Sequence, residues 1–440
     1  MTLCVTYIPK LSMSFLRAHW QKIVISLSVV GPAIIAGTAN NDAGGISTYS
    51  LVGSRFGYGM LWVLVLNFIT LACTQEIGMK LGVFTGKGLS ALIREKFSIK
   101  LTFLAIVTLF IANVAVTTSE FAGIAAALEL FGLPKWFTVP IFMGLVWIIL
   151  YKGSFKKIEH FFMGLSLFLF VYIVSAFMAE PNWLEVARQS FTMQMPADKE
   201  FLLLLLGVMG TTITPWGQFF IQSYVVDKGA DPKNYSIHRM EVYLSAFFTC
   251  FIAAMIMITT KEVLFDRGVV VDSAGTAALA LAPILGAAAT IIFGIGFFFA
   301  SLLGAFILPL TTSYSICEAL GFEHGMDTTW KQARVFYGLM AAVILLAGGV
   351  VLLPISLFQI MIFAQVVNGM LLPVILIFLV VLLRDGQQLG LPPQSRWARF
   401  FYTVITGETI LRLIVVSVVL VLFTLFPSII DTVKSYWIGI

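Results

Sequence analysis

The sequence predicts an all-α integral membrane protein, in which two of about eleven spanning helices are broken part-way across the bilayer. Of the 440 residues, 59% are hydrophobic and only 11% are charged, whereas a soluble domain carries about 25% charged residues. Apolar runs of about 20 residues follow one another along nearly the whole chain. Glycine, proline and polar residues interrupt two of these runs, which is unusual for a spanning helix.

The apolar runs give the positions of the predicted spans. In chain order they cover residues 23–53 (broken), 57–83, 101–131, 135–152, 158–178, 201–226 (broken), 237–260, 278–319 (with room for a bend), 333–354, 356–384 and 399–427. Most of the 27 Lys and Arg residues fall in connections that lie inside if the N-terminus is cytoplasmic. The positive-inside rule therefore predicts a cytoplasmic N-terminus and an external C-terminus. Compact loops and tails favour a prokaryotic inner membrane.

The first break is the segment Asn40-Asn41-Asp42-Ala43-Gly44-Gly45. It places a carboxylate and two glycines at mid-depth, where a charge costs roughly 2.5–3.5 kcal/mol on insertion scales. Irregular backbone at that depth is tolerated only where it lines a cavity or is buried in protein. A broken helix with an acidic residue at the break indicates a cation site.

The second break is the segment from Gly207 to Gly217, which contains Thr211, Thr214 and Pro215. Proline removes a backbone donor, and glycine loosens a helix. The break falls in the sixth span, so five spans separate it from the first. Interrupted helices at matching places in two halves indicate an inverted-repeat transporter and its binding site.

The repeats define the predicted organisation of the chain. We expect a cytoplasmic tail (1–20), a first repeat of helices 1–5 (21–178), an external connection (179–200), a second repeat of helices 6–10 (201–384), and a last helix with a C-terminal tail (385–440).

Breaking a helix frees carbonyl groups, and carbonyl dipoles beside one carboxylate suit a divalent cation. The available oxygens are hard, which favours Mg²⁺, Ca²⁺ or Mn²⁺ over softer metals. They belong to Asp42, Asn40, Asn41, Thr211, Thr212, Thr214, Gln365 and Asn368. Simpler interpretations stay open. Asp42 could be only an N-cap of the second half-helix, and Thr214-Pro215 an ordinary proline kink. Gln365 and Asn368 could simply form hydrogen bonds between helices.

Few residues in this sequence would support thiol chemistry, proton relays or catalysis. The four cysteines are scattered, without a CxxC pair, and all four histidines lie away from both breaks, so a histidine proton relay is not expected. Glu120 lies mid-span and is a candidate second acidic group, while Glu408 and Arg412 are spaced to pair on one helix face. No nucleophile–base set or cofactor motif indicates an enzyme. We expect no nucleic-acid partner and no cofactor, and a monomer in the lipid bilayer.

Several segments, in the same order along the chain, resemble the Nramp divalent-metal transporters. They are GPAIIAGTANNDAGG, FGYGMLWVLVLNF, KLGVFTGKGLSALIR, SEFAGIAAALELFGLP and AQVVNGMLLPVIL. The resemblance implies the LeuT-type fold and metal transport by alternating access. It also implies that Gln365, the carbonyl groups of Ala39 and Thr211, and the acidic position Glu120 match positions that the family uses.

The sequence departs from the family pattern at both breaks. The DPGN motif is DAGG, so the ligand Asn of the family is Gly45, and its Met-Pro-His is Thr214-Pro215-Trp216. A second histidine of the family is Ile221. These departures resemble the Nramp-related magnesium transporters.

The expected metal positions are Asp42, Ala39, Gly45, Thr211, Thr214, Gln365 and Asn368, with Asn40, Asn41, Gly44, Trp216, Gly217 and Glu120 along the pathway. We expect import of Mg²⁺, with Mn²⁺ also accepted, without proton coupling. The alternatives are a proton-coupled Mn²⁺/Fe²⁺ transporter and a sodium-coupled organic-solute symporter of the same fold.

Overall fold

The computed structural model describes residues 41–152, 166–196, 198–326, 328–393 and 395–425, and every regular element in them is helical. The α-helices are α1 (Ala43–Phe56), α2 (Leu61–Thr85), α3 (Leu89–Lys96), α4 (Ile99–Glu129), α5 (Lys135–Tyr151), α6 (Phe170–Met178), α7 (Trp183–Ser190), α8 (Lys199–Thr212), α9 (Pro215–Asp227), α10 (Tyr235–Val263), α11 (Ala274–Leu279), α12 (Ala282–Leu285), α13 (Ala289–Leu320), α14 (Arg334–Val351), α15 (Leu357–Arg384) and α16 (Arg396–Leu425).

The helices agree with the predicted spans in order and in approximate bounds. Within the described ranges, eight helical stretches are long and apolar enough to cross a membrane, and α5 is a shorter apolar helix. Of the first predicted span only the second half, α1, lies in the described part. Residues 153–165, which include the start of the fifth predicted span, also lie outside it. The short helices α3 and α7 fall in predicted connections.

The predicted break in the sixth span is confirmed. Helix α8 ends at Thr212, and α9 begins two residues later at Pro215. Proline suits the first position of a helix because the amide hydrogen that it lacks would have no partner there. The chain therefore changes from one helix to another at the segment that the sequence singled out.

The eighth predicted span does not run unbroken from residue 278. Two short helices, α11 and α12, precede the long helix α13, which starts at Ala289. Gly286 ends α12 with a φ of 51°, a left-handed conformation that favours glycine. The apolar run therefore contains a bent lead-in and a helix of 32 residues.

Helix α1 lies at the centre of the packing. It contacts α10, α15, α8 and α4, while α4 also packs against α13 and α15. This arrangement brings the start of α1 against the end of α8 and the middle of α4 and α15. The site described next lies where those four elements meet.

Candidate functional site

Asp42 is the N-cap of α1. Its Oδ1 accepts a hydrogen bond from the backbone N–H of Gly45 at 2.7 Å, and the residue is 8% exposed. The N-cap reading from the sequence is thus correct as a structural role. The cap uses one carboxylate oxygen, so capping by itself does not exclude binding of a cation.

The two glycines after Asp42 have opposite surroundings. A Cβ atom added to Gly44 would overlap the Gln365 side-chain amide and lie 2.7 Å from Ser119 Oγ. A Cβ atom added to Gly45 would lie 3.0 Å from Thr211 Oγ1 and 3.3 Å from Asp42 Oδ1. Gly44 therefore allows close packing, and Gly45 leaves only a narrow gap, tight for a Cβ atom, between the Asp42 carboxylate and the Thr211 hydroxyl.

The end of α8 closes this space from the other repeat. Thr211 is 2% exposed, and its Oγ1 has no hydrogen-bond partner in the described part of the chain. The neighbouring Thr212 shares a hydrogen bond of 2.9 Å with the Tyr49 hydroxyl of α1. The two broken segments are thus joined directly, as a site at matching breaks requires.

Thr214 caps the second half of the broken helix. Its Oγ1 accepts a hydrogen bond from the Gly217 backbone N–H at 3.1 Å, and a Cβ atom on Gly217 would lie 2.7 Å from that oxygen. Trp216 is half-buried, its ring lies edge-on to Phe220, and its Nε1 lacks a hydrogen-bond partner among the described residues. Thr214 and Asp42 therefore occupy equivalent capping positions at the two breaks.

Gln365 and Asn368 of α15 differ in their bonding. Both are fully buried. Asn368 donates from Nδ2 to the Gly210 carbonyl oxygen at 3.0 Å, which is the bond between helices that the sequence left open. Gln365 has no hydrogen-bond partner for either side-chain polar atom in the described ranges, and it lies against Gly44. The Oδ1 of Asn368 also has no partner among the described residues, so both side chains offer an oxygen that could contact a cation.

Glu120 lies behind Asp42 on α4. It is fully buried, and neither carboxyl oxygen has a hydrogen-bond partner within the described residues. The carboxyl groups of Glu120 and Asp42 are close enough to interact electrostatically. A Cβ atom on Gly304 would lie 2.6 Å from the Glu120 carboxyl carbon, so this glycine of α13 makes room for the acid.

Two of the expected residues lie outside the described part, namely Ala39 and Asn40. Asn41 is buried and donates from Nδ2 to the Thr249 carbonyl oxygen of α10 at 3.4 Å. Across the described ranges no group of three His, Cys, Asp or Glu side chains could hold a metal ion. A cation bound here would therefore rest on one or two carboxylates and on neutral oxygens.

Sequence reasoning missed Ser119 and Met361. Ser119 is fully buried beside Gly44, and its Oγ has no hydrogen-bond partner in the described chain. Its position directly before the mid-span Glu120 was the available signal. Met361 lies one turn before Gln365, and its sulfur accepts a long hydrogen bond of 3.5 Å from the Ser47 hydroxyl. That bond depends on the crossing of α1 and α15, which the sequence does not specify.

The other intramembrane ionisable groups are paired at a distance from the breaks. Glu76 accepts hydrogen bonds from the hydroxyls of Tyr235 and Tyr243 at 2.8 and 2.6 Å and lies 3.1 Å from Arg239 Nε. Glu408 and Arg412 form the expected pair on α16 at 3.5 Å. The Glu76 set links two helices, and the Glu408–Arg412 pair neutralises two charges on one helix. Neither set contributes to the candidate site.

A cavity of about 420 Å³ lies toward one end of the same helices. It is lined by residues at the end of α4, the start of α5, the start of α15 and the segment before α11, among them Glu129, Lys135, Asp272 and Phe358. Ala126 and Phe358 in its wall are about two turns from Glu120 and Gln365 respectively. The predicted topology puts this cavity on the external side.

Solved structures with the same architecture identify the fold. The manganese transporter of Eremococcus coleocola, in complex with an aromatic bis-isothiourea compound, superposes with a TM-score of 0.68 at 20% identity, covering 100% of this chain and 94% of that one. MhsT in complex with L-phenylalanine gives 0.57 at 14% identity, covering 88% and 98%. The fold is the expected LeuT type.

The family follows from the sequence comparisons. Residues 33–422 match the model of the Nramp family, described as natural resistance-associated macrophage protein-like. The divalent metal cation transporter MntH of Yersinia pestis (strain Pestoides F) is 27% identical over 336 residues, covering 74% of this chain and 80% of the relative. MntH of Erwinia tasmaniensis is 28% identical over 292 residues, covering 63% and 69%. The chain belongs to the Nramp family, and it is a multi-pass membrane transporter of divalent metal cations rather than an enzyme.

Proposed function

We propose that this protein imports Mg²⁺, with Mn²⁺ also accepted, by alternating access and without proton coupling. The observation that carries the proposal is the absence of a side chain at Gly45, which leaves the Asp42 carboxylate and the Thr211 hydroxyl facing one narrow gap. Mg²⁺ gives up its water reluctantly and usually binds proteins through one or two carboxylates. A site with few charged ligands suits an ion that keeps part of its hydration shell.

The ligand chemistry supports hard ions. Asp42, Thr211, Thr214 and Gln365 offer only oxygen or amide groups, and oxygen ligands favour Mg²⁺, Ca²⁺ and Mn²⁺ over softer metals. The Thr214 hydroxyl, bonded to Gly217 N–H, stands where the resembling family motif has a thioether. The thioether that we do find near α1, in Met361, is directed to Ser47.

Import without coupling has a sufficient driving force. A divalent cation gains about 4.6 kcal/mol per 100 mV when it enters a negative interior. The described histidines, His238 and His324, lie at the start of α10 and in the connection after α13, away from both breaks. Among the described residues near the breaks, carboxyl groups are therefore the candidates for moving a proton.

A proton-coupled manganese transporter is the second candidate. The relatives named above are described as transporters of divalent metal cations and of manganese. Glu120, buried beside Asp42, is a group that could exchange a proton. This candidate predicts that Mn²⁺ uptake acidifies the interior and that Mg²⁺ is not carried.

An organic-solute symporter is disfavoured by the capping of the half-helices. In such a transporter the N-terminus of a half-helix would receive the carboxylate of the substrate. Here the Asp42 carboxylate already occupies the N-terminus of α1, and the Thr214 hydroxyl occupies that of α9. Asp42 would repel the carboxylate of a substrate. At the N-terminus of α9 the Gly217 N–H, which could bind such a carboxylate, already donates to Thr214 Oγ1.

The proposal is tested by Mg²⁺ uptake into proteoliposomes that hold wild-type protein, Asp42→Asn or Asp42→Ala. Asparagine is as good an N-cap as aspartate, so Asp42→Asn keeps α1 capped and removes only the charge. We expect both variants to lose uptake, while Asp42→Asn keeps the melting temperature of the wild type. Undiminished uptake by Asp42→Asn would show that the carboxylate caps the helix and does not bind the ion.

A further inference from the structure

One face of α9 carries polar side chains that lead away from the break. Thr214, Gln218 and Gln222 are four residues apart, so they lie one above another along the helix. Thr214 is 9% exposed, and the two glutamines are fully buried. This polar face of α9 (Thr214, Gln218 and Gln222) therefore runs through the protein interior from the candidate site to the far end of the helix.

Gln218 is unpaired in the middle of this face. Neither its Oε1 nor its Nε2 has a hydrogen-bond partner among the residues that the structure describes. Buried amide groups are normally hydrogen-bonded, because an unpaired donor or acceptor has lost its water without compensation. Packing alone would favour an apolar residue here, so the amide needs another explanation.

The helices that pack on α9 also carry unpaired neutral oxygens. Helix α9 contacts α4 and α13, where Asn113 donates from Nδ2 to the Thr312 hydroxyl at 2.7 Å. Its Oδ1 then has no hydrogen-bond partner within the described ranges. Oxygens of this kind can contact a passing cation or its water molecules without holding it by charge.

The far end of the polar face is closed by a single side-chain bond. Gln222 donates from Nε2 to the Lys87 carbonyl oxygen at 2.9 Å, just before α3. Because Nε2 makes that bond, Oε1 is the atom left unpaired in the described structure. The predicted topology puts this end on the cytoplasmic side, where an imported ion would leave.

We propose that Gln218 forms a neutral release site for the divalent cation, one helical turn beyond Thr214 on the way to the cytoplasm. The proposal rests on the proposed function, since it concerns the path of the imported ion. An amide oxygen is an accepted ligand of Mg²⁺ and Ca²⁺. Because it has no charge, it holds the ion more weakly than Asp42 and favours departure. Gln222 extends the path when its bond to Lys87 opens.

The test separates ion binding from ion transfer in the full-length protein, with Mn²⁺ as the probe. Gln218→Leu keeps the volume and removes the oxygen. We expect its maximal uptake rate in proteoliposomes to fall about tenfold, while equilibrium Mn²⁺ affinity in detergent stays that of the wild type. Gln218→Glu should instead hold the ion, so that maximal rate and half-saturating concentration fall together and a second Mn²⁺ binds per protein.

The matched control is Phe219→Leu, which alters a buried neighbour on the same helix and should leave both rate and affinity near wild type. Equal maximal rates for wild type and Gln218→Leu would overturn the release site alone. An equal loss of rate in Phe219→Leu would also overturn it, because packing would then explain the effect. Absence of Mn²⁺ uptake by the wild type would overturn the proposed function itself.

Discussion

At the residue scale, two adjacent glycines have different physical reasons to be glycine. Gly44 is needed because the Gln365 amide and the Ser119 hydroxyl fill the place of its side chain. Gly45 accepts a Cβ atom only if the Thr211 side chain gives way, because that Cβ would lie 3.0 Å from Thr211 Oγ1 and 3.3 Å from Asp42 Oδ1. Substitutions at Gly44 and at Gly45 therefore test two different features of the site.

Gly44→Ala should abolish uptake. The added Cβ would overlap the Gln365 amide, and forcing atoms into a packed interior costs typically about 1–3 kcal/mol. Gly144→Ala in α5 is the control, because nothing lies within 4 Å of its added Cβ. We expect the control to keep its melting temperature and most of its uptake. Equal activity of the two variants would contradict the packing around Gly44.

Selectivity should follow the ligands at the two breaks. Gly45→Asn together with Thr214→Met introduces an amide beside Asp42 and a thioether at the second break, so uptake should shift from Mg²⁺ toward Mn²⁺ and softer metals. The ratio of Mg²⁺ to Mn²⁺ uptake measures the shift, with each single variant as a control. An unchanged ratio would mean that other parts of the pocket determine selectivity.

At the element scale, α8 and α15 cross with their backbones in contact. A Cβ atom on Gly210 would overlap the Gln365 carbonyl oxygen and the Gly369 backbone nitrogen. The same approach lets Asn368 reach the Gly210 carbonyl. The crossing therefore fixes the height of Gln365 relative to the end of α8, and with it the position of the candidate site.

Gly210→Ala should lower the melting temperature and disrupt the site, because backbone atoms cannot move aside as a flexible side chain can. The expected loss of stability is at least about 1–3 kcal/mol, the usual cost of overpacking. Gly338→Ala in α14 is the control, since nothing lies within 4 Å of its added Cβ. Thermal unfolding in detergent gives the melting temperatures of both variants. Equal melting temperatures would contradict the close backbone contact between α8 and α15.

The sequence predicted the described helices and the break in the sixth span because these depend on local features. Apolar run length fixes a span, Pro215 fixes the start of α9, and Asp42 is a capping residue. It did not distinguish Gln365 from Asn368, nor reveal Ser119, because their bonding depends on how α1, α4, α8 and α15 cross. The run at 278–288 looked like part of a span because apolar content alone does not show the turn at Gly286.

At the scale of the whole molecule, charge asymmetry predicts the orientation. Under the predicted topology the cavity beside Glu129 and Asp272 faces outward, and the bond from Gln222 to Lys87 closes the inner end. A reporter fused to the N-terminus should be active in the cytoplasm, and one fused to the C-terminus on the external face. The reverse result for both fusions would invert the path and make Gln218 lie on the entry side.

The most direct measurement is uptake of Mg²⁺ and of Mn²⁺ into proteoliposomes, side by side, with the internal pH monitored. A membrane potential supplies the driving force, and Asp42→Asn is the control. We expect both ions to enter without acidification of the interior. Entry of Mn²⁺ with acidification, and no entry of Mg²⁺, would contradict the account and would direct attention to Glu120 as the proton-carrying group.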